Sequence, residues 1–351
     1  MAGMASFSGF ASARLARGPR AKLALGTLAA VALAWGVQPA HAGYVFQDII
    51  NPGDVTFNQE LGINSPGEIA GYFGSGMAGH PNKGYTTVPP SYNTSFTNEN
   101  FPGSVQTQVT GINNAGTTVG FWSDTNMGGG TDNNFGFTDV GGTFTEVNHP
   151  GGPSTGLFTD QLLGVNNSNT AVGFYVDAGG ATHGYTYNIG TMTFSGNIDD
   201  PNGVGATTAA AINNNGQIAG FYVGLDGNMH GFFDNGGTFT TINAPGAMDT
   251  VLLGLNDFGE AVGVQTLASG ALDGLICDAF TGTCQTLDDP NGIGTTTFNG
   301  VNDRGQIVGF YVNGEGNTIG LLADVPEPAS LILLAGGWLG MGVVGRRRGT
   351  A

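Results

Sequence analysis

The sequence predicts an all-β fold: a six-bladed β-propeller of four-stranded antiparallel blades, closed by its N-terminal strand. A signal helix is expected before it and a transmembrane helix after it. Three observations carry this reading. Variants of the phrase apolar-Asn-Asx-x-Gly, each preceded by a small residue, begin at Gly62, Gly111, Gly164, Ala211, Gly254 and Gly300. Their spacing of 43 to 53 residues fits propeller blades better than leucine-rich or ankyrin solenoids. Glycine is abundant, 64 of 351 residues, yet apolar and polar positions alternate, which favours a turn-rich β protein over disorder.

The unit around Ala211–Gly246 divides into four strands. "TTAAAIN" turns through "NNG", where glycine supplies a positive φ, into "QIAGFYV". "GLDGN" leads to "HGFFD", and "NGG" then makes a hairpin into "TFTTI" before the longer link "NAPGA". Three short turns and one long link describe a meander whose first strand is innermost. The sixth unit lacks a fourth strand, and the orphan "YVFQDIINPG" supplies one. Tyr44 to Ile49 should therefore pair with Ile319 to Ala323 and close the ring, removing exposed sheet edges. The small residue before each anchor fits first strands that converge on an axis. Gly-aromatic pairs such as Gly71-Tyr72 and Gly120-Phe121 are expected to place rings between blades, with Gly263-Val264 the exception.

Residues 1–42 contain no acidic residue. Arg14, Arg17, Arg20 and Lys22 precede an apolar run from Leu23 to Trp35, and "AHA" ends the segment before Gly43. This reads as a secretory signal peptide cut between Ala42 and Gly43, and it implies passage through the secretion translocon. At the other end, residues 325–351 contain Pro326, Glu327 and Pro328, then 17 uncharged positions over 329–345, then Arg346, Arg347 and Arg348. The apolar span is just long enough to cross a bilayer, and the basic cluster favours the cytoplasmic side.

That order of Pro-Glu-Pro, apolar span and arginine cluster resembles the PEP-CTERM sorting signal. The resemblance implies an exosortase as processing partner in a Gram-negative bacterium that makes exopolysaccharide. Two fates stay open for the tail: a persistent membrane anchor, or cleavage and release to the surface or matrix. The region 43–324 resembles the HAF family of extracellular repeats. Its triplet stands here as His183-Gly184-Tyr185 and His230-Gly231-Phe232, and as Lys83-Gly84-Tyr85, Phe135-Gly136-Phe137, Asp273-Gly274-Leu275 and Ile319-Gly320-Leu321 elsewhere. That family implies an exported repeat protein without assigned chemistry.

Between the two ends the body is strongly anionic. Only Lys83 and Arg304, of nine Lys and Arg, lie in it, against every acidic residue except Glu327. Nucleic acid and anionic lipid are poor partners for such a surface. Cys277 and Cys284 frame a hairpin turn. In an oxidising compartment a disulfide is the first reading and two free thiols the second, with a metal site weaker because no histidine lies nearby in the sequence.

No nucleophile elbow, zinc signature or P-loop appears, so no catalytic residue and no cofactor is expected. His183 and His230 occupy equivalent repeat positions, which favours a hydrogen-bonding role. The links expected on one face collect Asp177, Asp226, Glu315 and the pairs Asp199-Asp200 and Asp288-Asp289 of "DDPNG". Carboxylates among asparagines suit calcium, although no loop matches the EF-hand pattern, and solvated turns or Asx-Pro turn chemistry explain the same residues. The expectation is a non-catalytic exported propeller acting at the cell surface or in an exopolysaccharide matrix. A glycan- or calcium-binding module is the alternative. A glycan-active enzyme would need carboxylates from different blades about 5 to 10 Å apart.

Overall fold

The computed structural model describes residues 43–125, 132–203 and 205–325. The expected signal peptide, the Pro326–Pro328 triplet, the helix expected over 329–345 and the arginine cluster lie outside the described residues. The strands from Phe46 to Ala323 belong to one compact unit.

Strand β1 (Val45–Ile49) belongs to the last blade. β2 (Asn58–Ile63), β3 (Ile69–Phe73), β4 (Lys83–Thr87) and β5 (Phe96–Asn98) form blade 1. β6 (Gln106–Ile112), β7 (Thr118–Ser123), β8 (Phe135–Val140) and β9 (Thr143–Val147) form blade 2. Blade 3 consists of β10 (Asp160–Val165), β11 (Thr170–Val176), β12 (Thr182–Asn188) and β13 (Thr193–Phe194). Blade 4 consists of β14 (Thr207–Ile212), β15 (Ile218–Val223), β16 (Met229–Asp234) and β17 (Phe239–Ile242). β18 (Asp249–Leu255), β19 (Glu260–Thr266), β20 (Leu272–Asp278) and β21 (Thr283–Thr286) make blade 5. β22 (Thr297–Val301), β23 (Ile307–Val312) and β24 (Thr318–Asp324) complete blade 6, with β1 hydrogen-bonded to β24 as its outer strand. Six four-stranded blades closed by the N-terminal strand are therefore present.

Each first strand carries a β-bulge, between Glu60 and Gly62 in blade 1 and at the equivalent place in the other five. The bulge turns the strand where it approaches its neighbour. A Cβ on Gly62 would lie 3.0 Å from Gly111 Cα, one on Gly111 3.0 Å from Gly164 Cα, and one on Gly254 3.0 Å from Gly300 Cα. The small residue before each anchor is thus a requirement of neighbouring backbones.

The glycines of the second strands have a different cause from the one the sequence suggested. A Cβ on Gly71, Gly120, Gly173, Gly220, Gly263 or Gly309 would come within 2.3 Å of a carbonyl oxygen on the first strand of its own blade. The glycine makes room for backbone, and Gly263 needs it as much as the others, although valine follows it. The rings of Phe121 and Phe310, with Val264, border a central cavity.

Blades pack through the third-strand triplets. The third residue, Tyr85, Phe137, Tyr185, Phe232, Leu275 or Leu321, is fully buried in each blade. Burying a side chain of this size stabilises the fold by roughly 2–3 kcal/mol. The triplet glycine lets the next first strand approach. Built Cβ atoms there would meet Val109 from Gly84, Leu162 from Gly136, Ala209 from Gly184, Leu252 from Gly231 and Phe298 from Gly274. Across the closing seam the equivalent neighbour of Gly320 is Glu60.

Candidate functional site

The anchor asparagines form a ring that turn chemistry alone does not reveal. Asn64 Nδ2 donates to the Asn113 carbonyl, Asn113 to Asn166, Asn166 to Asn213, Asn213 to Asn256 and Asn256 to Asn302, at 3.0 to 3.2 Å. Asn302 returns to Asn64 at 2.9 Å. All six are buried. Each Oδ1 accepts the backbone N–H four residues on, which folds the turn and aims the amide at the next blade. The following residues form a second tier: the N–H groups of Ser65, Asn114, Asn167, Asn214 and Asp257 donate to side-chain oxygens of the next blade. Ser65 Oγ closes that tier on Asp303 at 3.2 Å. The repeated phrase is therefore a blade-to-blade clamp as well as a turn.

The links between blades are fastened in a similar way. The residue before the link proline donates its N–H to a side chain near the start of the next first strand: Asn51 to Asn58, Phe101 to Thr107, Asp200 to Thr207, Ala244 to Thr250 and Asp289 to Thr296. His149 donates to Asp160 in the same manner. This accounts for "DDPNG". Asp200 Oδ1 and Asp289 Oδ1 each accept the N–H of the asparagine two residues on, at 2.8 and 2.7 Å. Both carboxyls are at most 3% exposed. Burial pushes Asp289 up, helped by the nearby Asp48 charge.

The remaining candidate carboxylates hold their own turns or a neighbouring strand. Asp177 accepts from the N–H groups of Gly179 and Ala181 and stands 3.5 Å from His183 Nε2. The Ala181 bond is the main reason its carboxyl titrates below the usual range. Asp199 holds His183 Nδ1 at 2.9 Å. Asp226 and Asn243 hold the two ring nitrogens of His230 at 3.1 and 3.0 Å. Burial opposes the charged imidazole of His230, but these two acceptors prevail and raise it. Asp288 accepts from Gly274 N–H and is pushed up by burial and by Asp273 beside it. Glu315 is exposed and accepts from Asn317 Nδ2 at 3.3 Å. The seven calcium candidates are spread over five turns and links. Among the described residues no three His, Cys, Asp or Glu side chains are arranged to hold a metal ion.

Sequence reasoning did not single out the buried acids. Glu60 receives the Tyr85 hydroxyl at 2.5 Å, and burial pushes its carboxyl up to about 8. Asp160 receives the Tyr185 hydroxyl at 2.5 Å and is pushed up to about 7 by burial. Glu99 reaches about 7 because it is desolvated and lies against Asp139. Their signal in the sequence is weak: Glu60 stands where sister repeats carry Val109, Leu162, Ala209, Leu252 and Phe298, and Asp160 where most carry threonine. Cys277 and Cys284 face each other across β20 and β21 and are joined by a disulfide, with Cα atoms 4.1 Å apart.

Two hollows lie among the described residues. The cavity on the axis is small, about 70 Å³, and largely apolar, with Leu61, Leu163 and Leu253 reaching it from the bulges. The larger hollow, about 600 Å³, lies beside the outer half of blade 1 and is walled by Phe73, Phe96 and Phe101 together with Lys83, Asn98 and Asn100.

Residues 324–348 match the PEP-CTERM protein-sorting motif. The motif implies export, a membrane-anchored intermediate in a Gram-negative bacterium and processing by an exosortase. No curated protein matches the chain in sequence. Among solved structures, the putative TolB of Agrobacterium tumefaciens is similar at a TM-score of 0.50 and 13% identity, over 76% of this chain and 90% of that one. TolB of Acinetobacter baumannii is similar at 0.48 and 11% identity, over 73% of this chain, which spans 63% of that protein's length. A sialidase of Trypanosoma rangeli is similar at 0.47 and 10% identity, over 76% of this chain and 54% of that one. At such identities the likeness concerns the fold alone.

Proposed function

We propose that this chain is a non-catalytic display propeller, exported by its signal peptide and sorted through its tail, which acts at the cell surface or in the exopolysaccharide matrix. The observation that carries this reading is the sorting motif over 324–348, which begins at the last residue of β24. The HAF-type reading of the repeats is consistent with it. The clamps of Asn64 and its five counterparts give a rigid, densely hydrogen-bonded body, as an extracellular part without chaperone support requires. The link carboxylates Asp177, Asp200 and Asp289 are engaged in holding their own turns, which supports a structural role for them.

The test is intact mass in envelope and medium fractions of the natural host. A form that begins at Gly43 and ends near Pro326–Pro328 supports sorting. A form that retains Arg346–Arg348 in the membrane overturns it and makes the protein an anchored surface protein. The non-catalytic part of the reading fails if the purified protein releases new reducing ends or unsaturated products from the host's polysaccharide.

A further inference from the structure

We propose that the cleft beside blade 1 binds a saccharide bearing an isolated carboxylate, such as a hexuronate within an otherwise neutral glycan; this rests on the matrix reading above and names its ligand class. The first argument is hydrogen-bond supply. Asn98 Oδ1 already accepts both the N–H and the Nδ2 of Asn100, each at 2.8 Å, and Asn100 Oδ1 accepts Gly84 N–H at 3.0 Å. Lys83 Nζ gives one proton to the Val105 carbonyl at 2.8 Å and has two more to give. The amide oxygens of Asn98 and Asn100 are engaged within the protein, while amide and ammonium hydrogens remain. A ligand that complements them is rich in acceptors and negatively charged.

The second argument is shape and surface. A volume of about 600 Å³ suits a few sugar rings, and Phe73, Phe96 and Phe101 offer aromatic surface. The electron-rich face of such a ring attracts the polarised C–H groups of a pyranose. The third argument is charge. Lys83 is one of two cations in the body, and it stands in the larger hollow. The surrounding carboxylates repel densely charged polymers, so a glycan with spaced carboxylates is favoured over nucleic acid or polyphosphate.

The experiment titrates the full chain, purified in detergent, with a tetrasaccharide carrying glucuronate at alternate positions, and separately with a neutral glucan tetrasaccharide. Calorimetry is the readout. Saturable binding of the acidic probe is expected, at least tenfold tighter than the neutral one. Lys83→Met and Phe96→Ala should each weaken it at least tenfold. Lys83→Met should leave the melting temperature within 2 °C of the parent's, as expected of a partly exposed side chain. Equal affinity for both probes, unchanged binding in Lys83→Met, or no saturable binding overturns the proposal. Each of those results is independent of the mass measurement that decides sorting.

Discussion

Asn302 Nδ2 donates to the carbonyl of Asn64 at 2.9 Å across 238 residues of sequence, and this bond completes the ring of six buried amides. One side chain therefore ties the last blade to the first. Its Oδ1 at the same time shapes its own turn through the N–H groups of Arg304 and Gln306.

The direction of these bonds is testable at Asn213. Its Nδ2 donates to the Asn256 carbonyl and its Oδ1 accepts two backbone N–H groups. Asn213→Ala leaves these buried groups without partners and should cost about 2–4 kcal/mol in urea denaturation. Asn213→Asp keeps the acceptor but turns an oxygen toward a carbonyl, so it should lose at least as much. Wild-type stability for the aspartate variant would show that the amide does not donate to the next blade.

Glycine at Gly173 answers to a different constraint. A Cβ there would lie 2.0 Å from the Gln161 carbonyl oxygen, and neither atom sits on a flexible side chain. Gly173→Ala should lose about 3 kcal/mol or fail to fold. Gly196, with nothing within 4 Å of a built Cβ, is the control, and its alanine variant should lie within about 0.5 kcal/mol of the parent. Thermal and urea midpoints of the pair check this.

Glu60 predicts a pH dependence located at the closing seam. Its folded pKa of about 8 lies above the ordinary value of 4.5, so the folded state holds a proton that the unfolded chain releases between those limits. Its contribution is fully present below about pH 4.5 and is lost as pH rises through about 8. The melting temperature should therefore be higher at pH 5 than at pH 8.5. Glu60→Gln should reduce the difference, leaving the smaller contributions of Asp160 and Glu99. An unchanged profile would remove Glu60 from the account.

The disulfide between Cys277 and Cys284 closes a small loop on the outer hairpin of blade 5. Loop-closure entropy gives about 2–3 kcal/mol for a loop of this size. Reduction, or replacement of both cysteines by serine, should lower stability by that order. Mass shift on alkylation under denaturing conditions reports whether both thiols are blocked before reduction.

Blade number, strand order and ring closure were legible because they rest on local signals that repeat: glycine at turns, alternation along strands, and one strand missing at one end and present at the other. The convergence of Gly62 and its counterparts was legible for the same reason. The role of Asn64 beyond its turn was not, since an asparagine that caps its own turn and one that also reaches the next blade have the same sequence signature. The glycines before Tyr72 and Val264 were misread because the clash they avoid is with backbone, which leaves no trace in neighbouring residue types. The acidic links were seen, but whether carboxylates meet one another or separate backbone N–H groups depends on tertiary placement. The cleft around Lys83 brings together residues of β3, β4, β5 and the link after them, and no short motif encodes it.

The pairing of β1 with β24 also sets an order of events. A chain exported from its N-terminus delivers β1 first, yet that strand has no partner until the final strand emerges. Ile49, fully buried in the finished body, must wait exposed for the whole interval. The sorting motif begins at Asp324, the last residue of β24, so a chain that carries the motif also carries both closing strands. A chain that stops before Thr318 keeps a first strand without its partner, so completeness of the body is what closes the ring.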